Sequence, residues 1–205
     1  MEFYKLKSFL TTIGPLATDD WQLIRSALRI QKFDKHVKLL NQTGVCNSIM
    51  FLNSGIARSY VIDEKGRDYT CSFNFNNNES SLKNLFLTDY ASVIKEEQST
   101  LFFESLTELE VVVIPVNYIK KLYEINHNWN RIGRVIAEEA YYITQRRTLS
   151  LLTKTATERY EELSNTLSSF MSEIPDVYLA SYLGITPQSL SRIKKNYREL
   201  PNGNA

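Results

Sequence analysis

Seven residues near the C-terminus constrain this chain more than any other feature: Leu179, Ala180, Leu183, Gly184, Ile185, Leu190 and Ile193. Two short helices that bury against each other at a steep angle need apolar residues at fixed offsets, a small residue where they approach, and a turn residue that tolerates a left-handed backbone. Ala180 is the small residue, Gly184 supplies the turn, and the other five fill a shared core. Thr186 is placed to cap the second helix, and Pro187 to take its first position, where a missing N–H costs nothing. The stretch from Asp176 to Tyr197 therefore reads as a helix-turn-helix.

With Leu190, Ile193 and Tyr197 facing inward, Gln188, Ser191, Arg192 and Lys195 share the outer face of the second helix. A glutamine amide suits adenine, and a guanidinium suits guanine bidentately. Thr186 and Ser189 near the helix start, together with Lys194 and Lys195, are placed to reach phosphates. The partner such a unit predicts is double-stranded DNA. The competing reading is a helical hairpin with a solvated polar face; charge alone does not decide, but the turn and both core faces fit the DNA-binding motif together.

Charge distribution points the same way. The net charge of the 205 residues is +1. From Val177 onward, Arg192, Lys194, Lys195 and Arg198 stand against Glu199 alone, a balance of +3 that leaves about −2 for the rest. That asymmetry directs a polyanion to the C-terminal end. The first ten residues lack the apolar core of a signal peptide, and no apolar run is long enough to span a bilayer. Cys46 and Cys71 form no CxxC pair and read as buried small apolar residues. These features predict a cytoplasmic protein with no membrane association.

Upstream, the chain changes texture twice. Residues 1 to about 30 look helical, with Ser8 or Thr18 as a candidate cap and Trp21, Ile24 and Leu28 on one face. From about 36 to 115, short β-branched and aromatic runs (Ser48–Asn53, Ile56–Ile62, Leu109–Ile114) alternate with turn residues, among them Gln42-Thr43-Gly44. The Lys65-Gly66 corner between Tyr60–Ile62 and Tyr69–Phe73 predicts a hairpin, and the set predicts a sandwich or barrel. Pro115 closes the last strand, and Val116–Glu124 forms a short helix. A longer helix, capped by Asn128, runs through Leu152. Its stripe of Trp129, Ile132, Val135, Ile136, Tyr142, Ile143 and Leu149 predicts either packing on the chain's own β domain or a dimer seam carried by Trp129, Ile132, Val135, Ile136 and Ile143, interrupted by Glu139 and Arg146. A further helix spans Thr155–Phe170.

The string IPDVYLASYLGITPQSLSRIKK (Ile174–Lys195) closely resembles the C-terminal motif of the Crp/Fnr family of transcription regulators. FLNSGIARSYVIDEKGRDYTCSF (Phe51–Phe73) resembles that family's β-roll, and TATERYEEL (Thr155–Leu163) its helix leading into the DNA-binding unit. The resemblance covers roughly the whole chain. It implies an α+β protein: a cyclic-nucleotide-binding-like β-roll of jelly-roll type (1–115), a connecting and dimerisation helix (116–152), and a winged-helix-type helix-turn-helix domain (153–205). It also implies a homodimer docked on two half-sites about 34 Å apart, with RNA polymerase as a further partner. A wing would have to be built from Arg198–Ala205 alone.

Two departures from the family matter. Members that read a well-known guanine-containing half-site carry an Arg-Glu pair followed by a second Arg; the corresponding positions here are Pro187, Gln188 and Arg192, which implies a different operator. Members that bind cyclic AMP carry a Gly-Glu pair and an Arg that neutralises the cyclic phosphate. The comparable stretch, Asn76–Phe103, has Glu79, Lys83 and Lys95 but no glycine and no arginine. Burying a phosphate without a charge partner is costly, so cyclic AMP in the usual mode is not expected.

Other chemistries fit worse. Two separated cysteines do not make an iron–sulfur site, and His36 and His127 sit in no ligand cluster, so no metal or cofactor is predicted. No catalytic motif appears, and a cupin-type enzyme would need several histidine and carboxylate ligands together. The expectation is a non-enzymatic, sequence-specific DNA-binding regulator with an unidentified effector. The alternative is a small-molecule-binding or protein-interaction module whose helix-turn-helix is vestigial.

Overall fold

The computed structural model describes residues 3–40, 44–77, 82–167 and 169–198. Two helices lead: α1 (Tyr4–Ile13) and α2 (Thr18–Ala27). The strands follow as β1 (Arg29–Phe33), β2 (Lys38–Leu40), β3 (Ser48–Ser54), β4 (Ile56–Ile62) and β5 (Asp68–Phe75). Helix α3 (Leu82–Leu85), β6 (Phe86–Leu87), α4 (Tyr90–Lys95), β7 (Phe102–Ser105) and β8 (Leu109–Pro115) complete the roll. The remainder is helical: α5 (Val116–Ile125), α6 (His127–Thr153), α7 (Ala156–Thr166), α8 (Asp176–Leu183) and α9 (Pro187–Arg198).

The strands form two four-stranded antiparallel sheets, ordered β1-β8-β3-β6 and β2-β7-β4-β5. Each strand turns alternate side chains inward. Met50, Leu52, Leu87, Leu109 and Val111 from one sheet meet Ala57 and Phe103 from the other in a common core. The predicted hairpin is present: Ile62 pairs with Asp68 across Gly66, whose φ is +76°. Gly55 turns β3 into β4 at φ +90°, and a β-carbon there would lie 2.2 Å from the Glu108 carbonyl oxygen, so a side chain has no room.

A second core joins α1, α2, α5 and α6 to the outer face of the first sheet through Leu6, Leu10, Trp21, Ile24, Phe51, Val112, Trp129 and Ile132. This core takes up part of the apolar stripe of α6, in line with the reading that it packs on its own chain. Trp129 and Ile132 are each 3% exposed and packed inside their own chain. The predicted caps also move. Ser8 lies within α1, and Ala17, not Thr18, flanks α2 without a side-chain cap. Asn126, not Asn128, caps α6, accepting from the backbone N–H groups of Asn128 and Trp129; an accepting side chain must precede the donors it satisfies. Thr155 caps α7 reciprocally with Glu158, and α7 stops at Thr166, short of Phe170. Gln42 and Thr43 lie outside the described residues.

The third core carries α7, α8 and α9 onto the roll: Ile56, Phe73, Phe75 and Leu106 pack with Tyr160, Leu163, Leu179, Leu183 and Leu190. No helix is long and apolar enough to cross a membrane among the described residues.

Candidate nucleic-acid interface and internal cavity

The helix-turn-helix forms as its sequence dictates. Leu179, Ala180, Leu183 and Leu190 are buried together, with Ile185 and Ile193 packed against them. Gly184 adopts the left-handed conformation at φ 69°, ψ 33°. The turn closes with Ile185 N–H donating to Ala180 O at 3.0 Å and Gly184 N–H to Ser181 O at 3.0 Å, the six-residue closure of a Schellman-type stop. Thr186 Oγ1 then accepts from Ser189 N–H at 3.2 Å, so the expected cap is made at the start of α9.

Two arginines brace this turn. The Arg147 guanidinium donates to Tyr182 O and lies 3.8 Å from the Tyr182 ring; Arg159 donates to Leu183 O at 2.8 Å. Both carbonyls belong to the last turn of α8, where helical acceptors lack partners and the dipole favours a cation.

On α9, Gln188, Ser191, Arg192 and Lys195 are all exposed, as is Thr186. They form one continuous face, and Asn196 extends it by standing one turn beyond Arg192. Asn196 escaped the sequence reading because it sits beside Tyr197 at the boundary of the inward face; its offset of four from Arg192 was the available signal. Ser189 is half-buried and shares a 3.0 Å hydroxyl contact with Thr186. Lys194 is half-buried and ion-paired with Asp176 at the start of α8, leaving Arg192 and Lys195 as the outward cations of the described part of α9. Residues 199–205, on which any wing depends, lie outside the described residues, as does Glu79.

The unit is docked on its own roll by a polar cluster around Arg58, a residue the sequence did not single out. Arg58 is 3% exposed; it donates to both Asp68 carboxylate oxygens at 2.7 and 2.6 Å, to Glu104 at 2.9 Å and to Thr70 at 3.1 Å. Burial disfavours its charge, yet the hydrogen bonds and fields of Asp68 and Glu104 outweigh this and hold its pKa above the usual value. Its guanidinium is stacked between Tyr60 at 4.1 Å and Tyr178 of α8 at 3.6 Å. One turn on, Ser181 Oγ accepts from Thr70 N–H at 2.8 Å and donates to Asp68 O at 3.0 Å, closing the free edge of β5.

Between the roll, α5 and α6 lies a cavity of about 480 Å³. Leu10, Phe86, Phe103, Ile114, Trp129 and Ile136 supply much of its apolar wall, and Arg147 and Tyr182 border it at the helix-turn-helix end. Tyr90 and Tyr123 also line it; burial raises both phenols above their usual pKa, so they stay protonated donors at neutral pH. Cys46 is buried as expected, whereas Cys71, on edge strand β5, is exposed and borders the cavity. His36 and His127 are exposed, and no group of three or more metal-ligating side chains occurs among the described residues.

No protein-family model and no curated protein sequence matches the chain. Solved structures do match. FixK2 from Bradyrhizobium japonicum superimposes with a TM-score of 0.70 at 15% identity, covering 84% of this chain and 85% of that one. A Crp/Fnr-family transcriptional regulator from Eubacterium rectale gives 0.67 at 16% identity over 92% and 88% of the two chains. CLP from Xanthomonas campestris, a global regulator responsive to c-di-GMP, gives 0.66 at 12% identity over 89% and 92%. Taken with the roll, the long helix and the helix-turn-helix, these likenesses establish that the chain has the fold of the Crp/Fnr transcription regulators.

Proposed function

We propose that this protein is a sequence-specific DNA-binding transcription regulator, with α9 as its major-groove reader and the cavity beside α6 as its input site. The observation that carries this reading is the outward face of α9: amide, hydroxyl and guanidinium groups stand exposed on a helix whose opposite face is locked in a shared core. Arg192 and Gln188 read base edges. Thr186, Ser189 and Lys195 contact phosphate, and Lys194 joins them by exchanging Asp176 for a phosphate oxygen.

The working unit is a homodimer. With Trp129 and Ile132 inside the chain's own core, the seam falls on the exposed positions Ala137, Tyr141, Thr144, Thr148 and Leu151, alternately four and three residues apart as in a coiled coil. Half-buried Val135, Ile136 and Ile143 flank it. Thr144 and Thr148 also line the cavity, so a partner helix laid on this face closes the input site.

The test is duplex binding across a salt series. Affinity is expected to fall steeply between low and moderate salt, as neutralised phosphates release counterions. An affinity independent of salt would eliminate phosphate contact and favour the vestigial-motif alternative. Genomic mapping of bound sites then yields the operator, and co-purification with RNA polymerase tests that partner.

A further inference from the structure

We propose that the cavity binds a long-chain carboxylate, its alkyl chain laid along α6 and its carboxylate held by Arg147. This deepens, and rests on, the reading of the cavity as the input site. Three observations point to that chemistry.

The first is shape. The lining residues on α6 run from Trp129 to Thr148, a rise of about 28 Å at 1.5 Å per residue. The cavity, of about 480 Å³, therefore follows one face of α6. It suits an extended chain better than a compact nucleotide.

The second is the wall. The Trp129 indole N–H has no partner among the described residues and the Tyr90 and Tyr123 hydroxyls also face this wall, but most of its other polar groups bond within the protein. Ser59 and Ser72 hydroxyls meet at 2.7 Å, Ser72 donates to Asn74 at 3.1 Å, and Asn74 donates to Phe86 O at 2.8 Å. Thr144 and Thr148 donate back into their own helix at 2.8 and 3.1 Å. A sugar or base would compete with bonds already made, whereas methylenes need only the apolar surface between them.

The third is charge. Arg147 is the one charged side chain on the described wall. It is half-buried, with no carboxylate in ion-pair reach among the described residues. Burial pulls its pKa below the usual value, helped by nearby Arg159, while Tyr182, Cys71 and Glu162 act in the other direction. Its hydrogen bond to Tyr182 O leaves guanidinium donors over, and a planar carboxylate matches them. A neutral apolar ligand would leave this cation uncompensated at the channel mouth.

The test uses the purified full chain with palmitate, hexadecanol and cyclic AMP. Each is kept below its aggregation threshold and read by calorimetry and tryptophan emission. Palmitate is expected to bind one per chain, hexadecanol at least tenfold more weakly, and cyclic AMP not at all. Ala140→Phe, which fills the middle of the channel, is expected to lower palmitate affinity at least tenfold with the circular dichroism spectrum retained. Should Ala140→Phe not fold, Arg147→Gln carries the test, since it is expected to erase the preference for palmitate over hexadecanol. The proposal is overturned by absence of palmitate binding, equal affinity for hexadecanol, binding of cyclic AMP, several palmitates per chain, or undiminished selective binding in the variants that fold. Duplex affinity of the same preparation is measured in parallel. Its loss with palmitate binding intact overturns the regulator reading alone, and the converse overturns the ligand alone.

Discussion

Arg192 and Lys195 are neighbours on the exposed face of α9, yet they are assigned different work. Arg192→Ala is expected to cost about 1–3 kcal/mol on the preferred site and to relax base preference at one position, because a bidentate guanidinium discriminates between bases. Lys195→Ala is expected to weaken all sequences evenly and to lower the salt slope by about one. Binding across a set of single-base operator variants separates the two, and equal losses on every sequence for Arg192→Ala would make it a phosphate contact. A second prediction concerns Arg58. Replacing it by alanine strands the carboxylates of Asp68 and Glu104 and removes the platform under Tyr178. Because the Asp68 side chain is about one-third exposed, the cost falls at the lower end of the range for a broken buried pair, about 3 kcal/mol in denaturant unfolding. The exposed face of α9 was legible because helical periodicity is local, and the seven core positions specify which side must be polar. Arg58 was not, since its partners lie 10, 46 and 120 residues away and nothing in its neighbourhood marks it as buried.

Secondary-structure elements were read most accurately where a local rule forces them. The β4–β5 hairpin follows from Lys65-Gly66, β8 stops at Pro115, and Gly184 ends α8. Caps were read unevenly: Thr186 caps α9 as expected, but where several Asn residues compete only the three-dimensional position of the donors selects one, and Asn126 prevails over Asn128 for α6. Gly55→Ala tests the turn between β3 and β4. A methyl group there meets the Glu108 carbonyl at a φ that L-residues avoid, and a loss of at least about 2 kcal/mol is expected in urea. Asp89 offers a prediction in pH. Burial raises its pKa, but hydrogen bonds from Ser92 N–H, Thr100 N–H and the Ser99 hydroxyl outweigh this, so the carboxyl is held below its usual value. A depressed folded pKa adds stability above the unfolded value of about 3.9, and that stability is lost as the pH falls through the folded value. Stability measured from pH 6 downward should therefore drop in acid, with a shallower fall in Asp89→Asn.

At the scale of the whole molecule, the sequence announces a roll, a long helix and a helix-turn-helix but not how the last is held. Leu179, Leu183 and Leu190 look like the private core of a helix-turn-helix, and they are also the surface on which Phe73, Phe75 and Ile56 of the roll are buried. Tyr178 and Ser181 read as ordinary helix positions, yet one stacks on Arg58 and the other satisfies the edge of β5. Trp129 and Ile132 were read as seam positions for the same reason: periodicity does not say that α1 and α2 cover the side of α6 that bears them. A core shared across the boundary makes the roll and the helix-turn-helix unfold as one unit in the absence of ligand and DNA. Calorimetry should show a single transition whose van't Hoff and calorimetric enthalpies agree. Leu183→Ala, which opens a cavity between α8 and β5, should destabilise by about 2–5 kcal/mol. Amide exchange should accelerate in β5 and in α9 alike, because opening either one exposes the same leucines. Two separate transitions, with Leu183→Ala moving only the one reported by α9 amides, would mean that the docked surface is a reversible contact rather than a joint core.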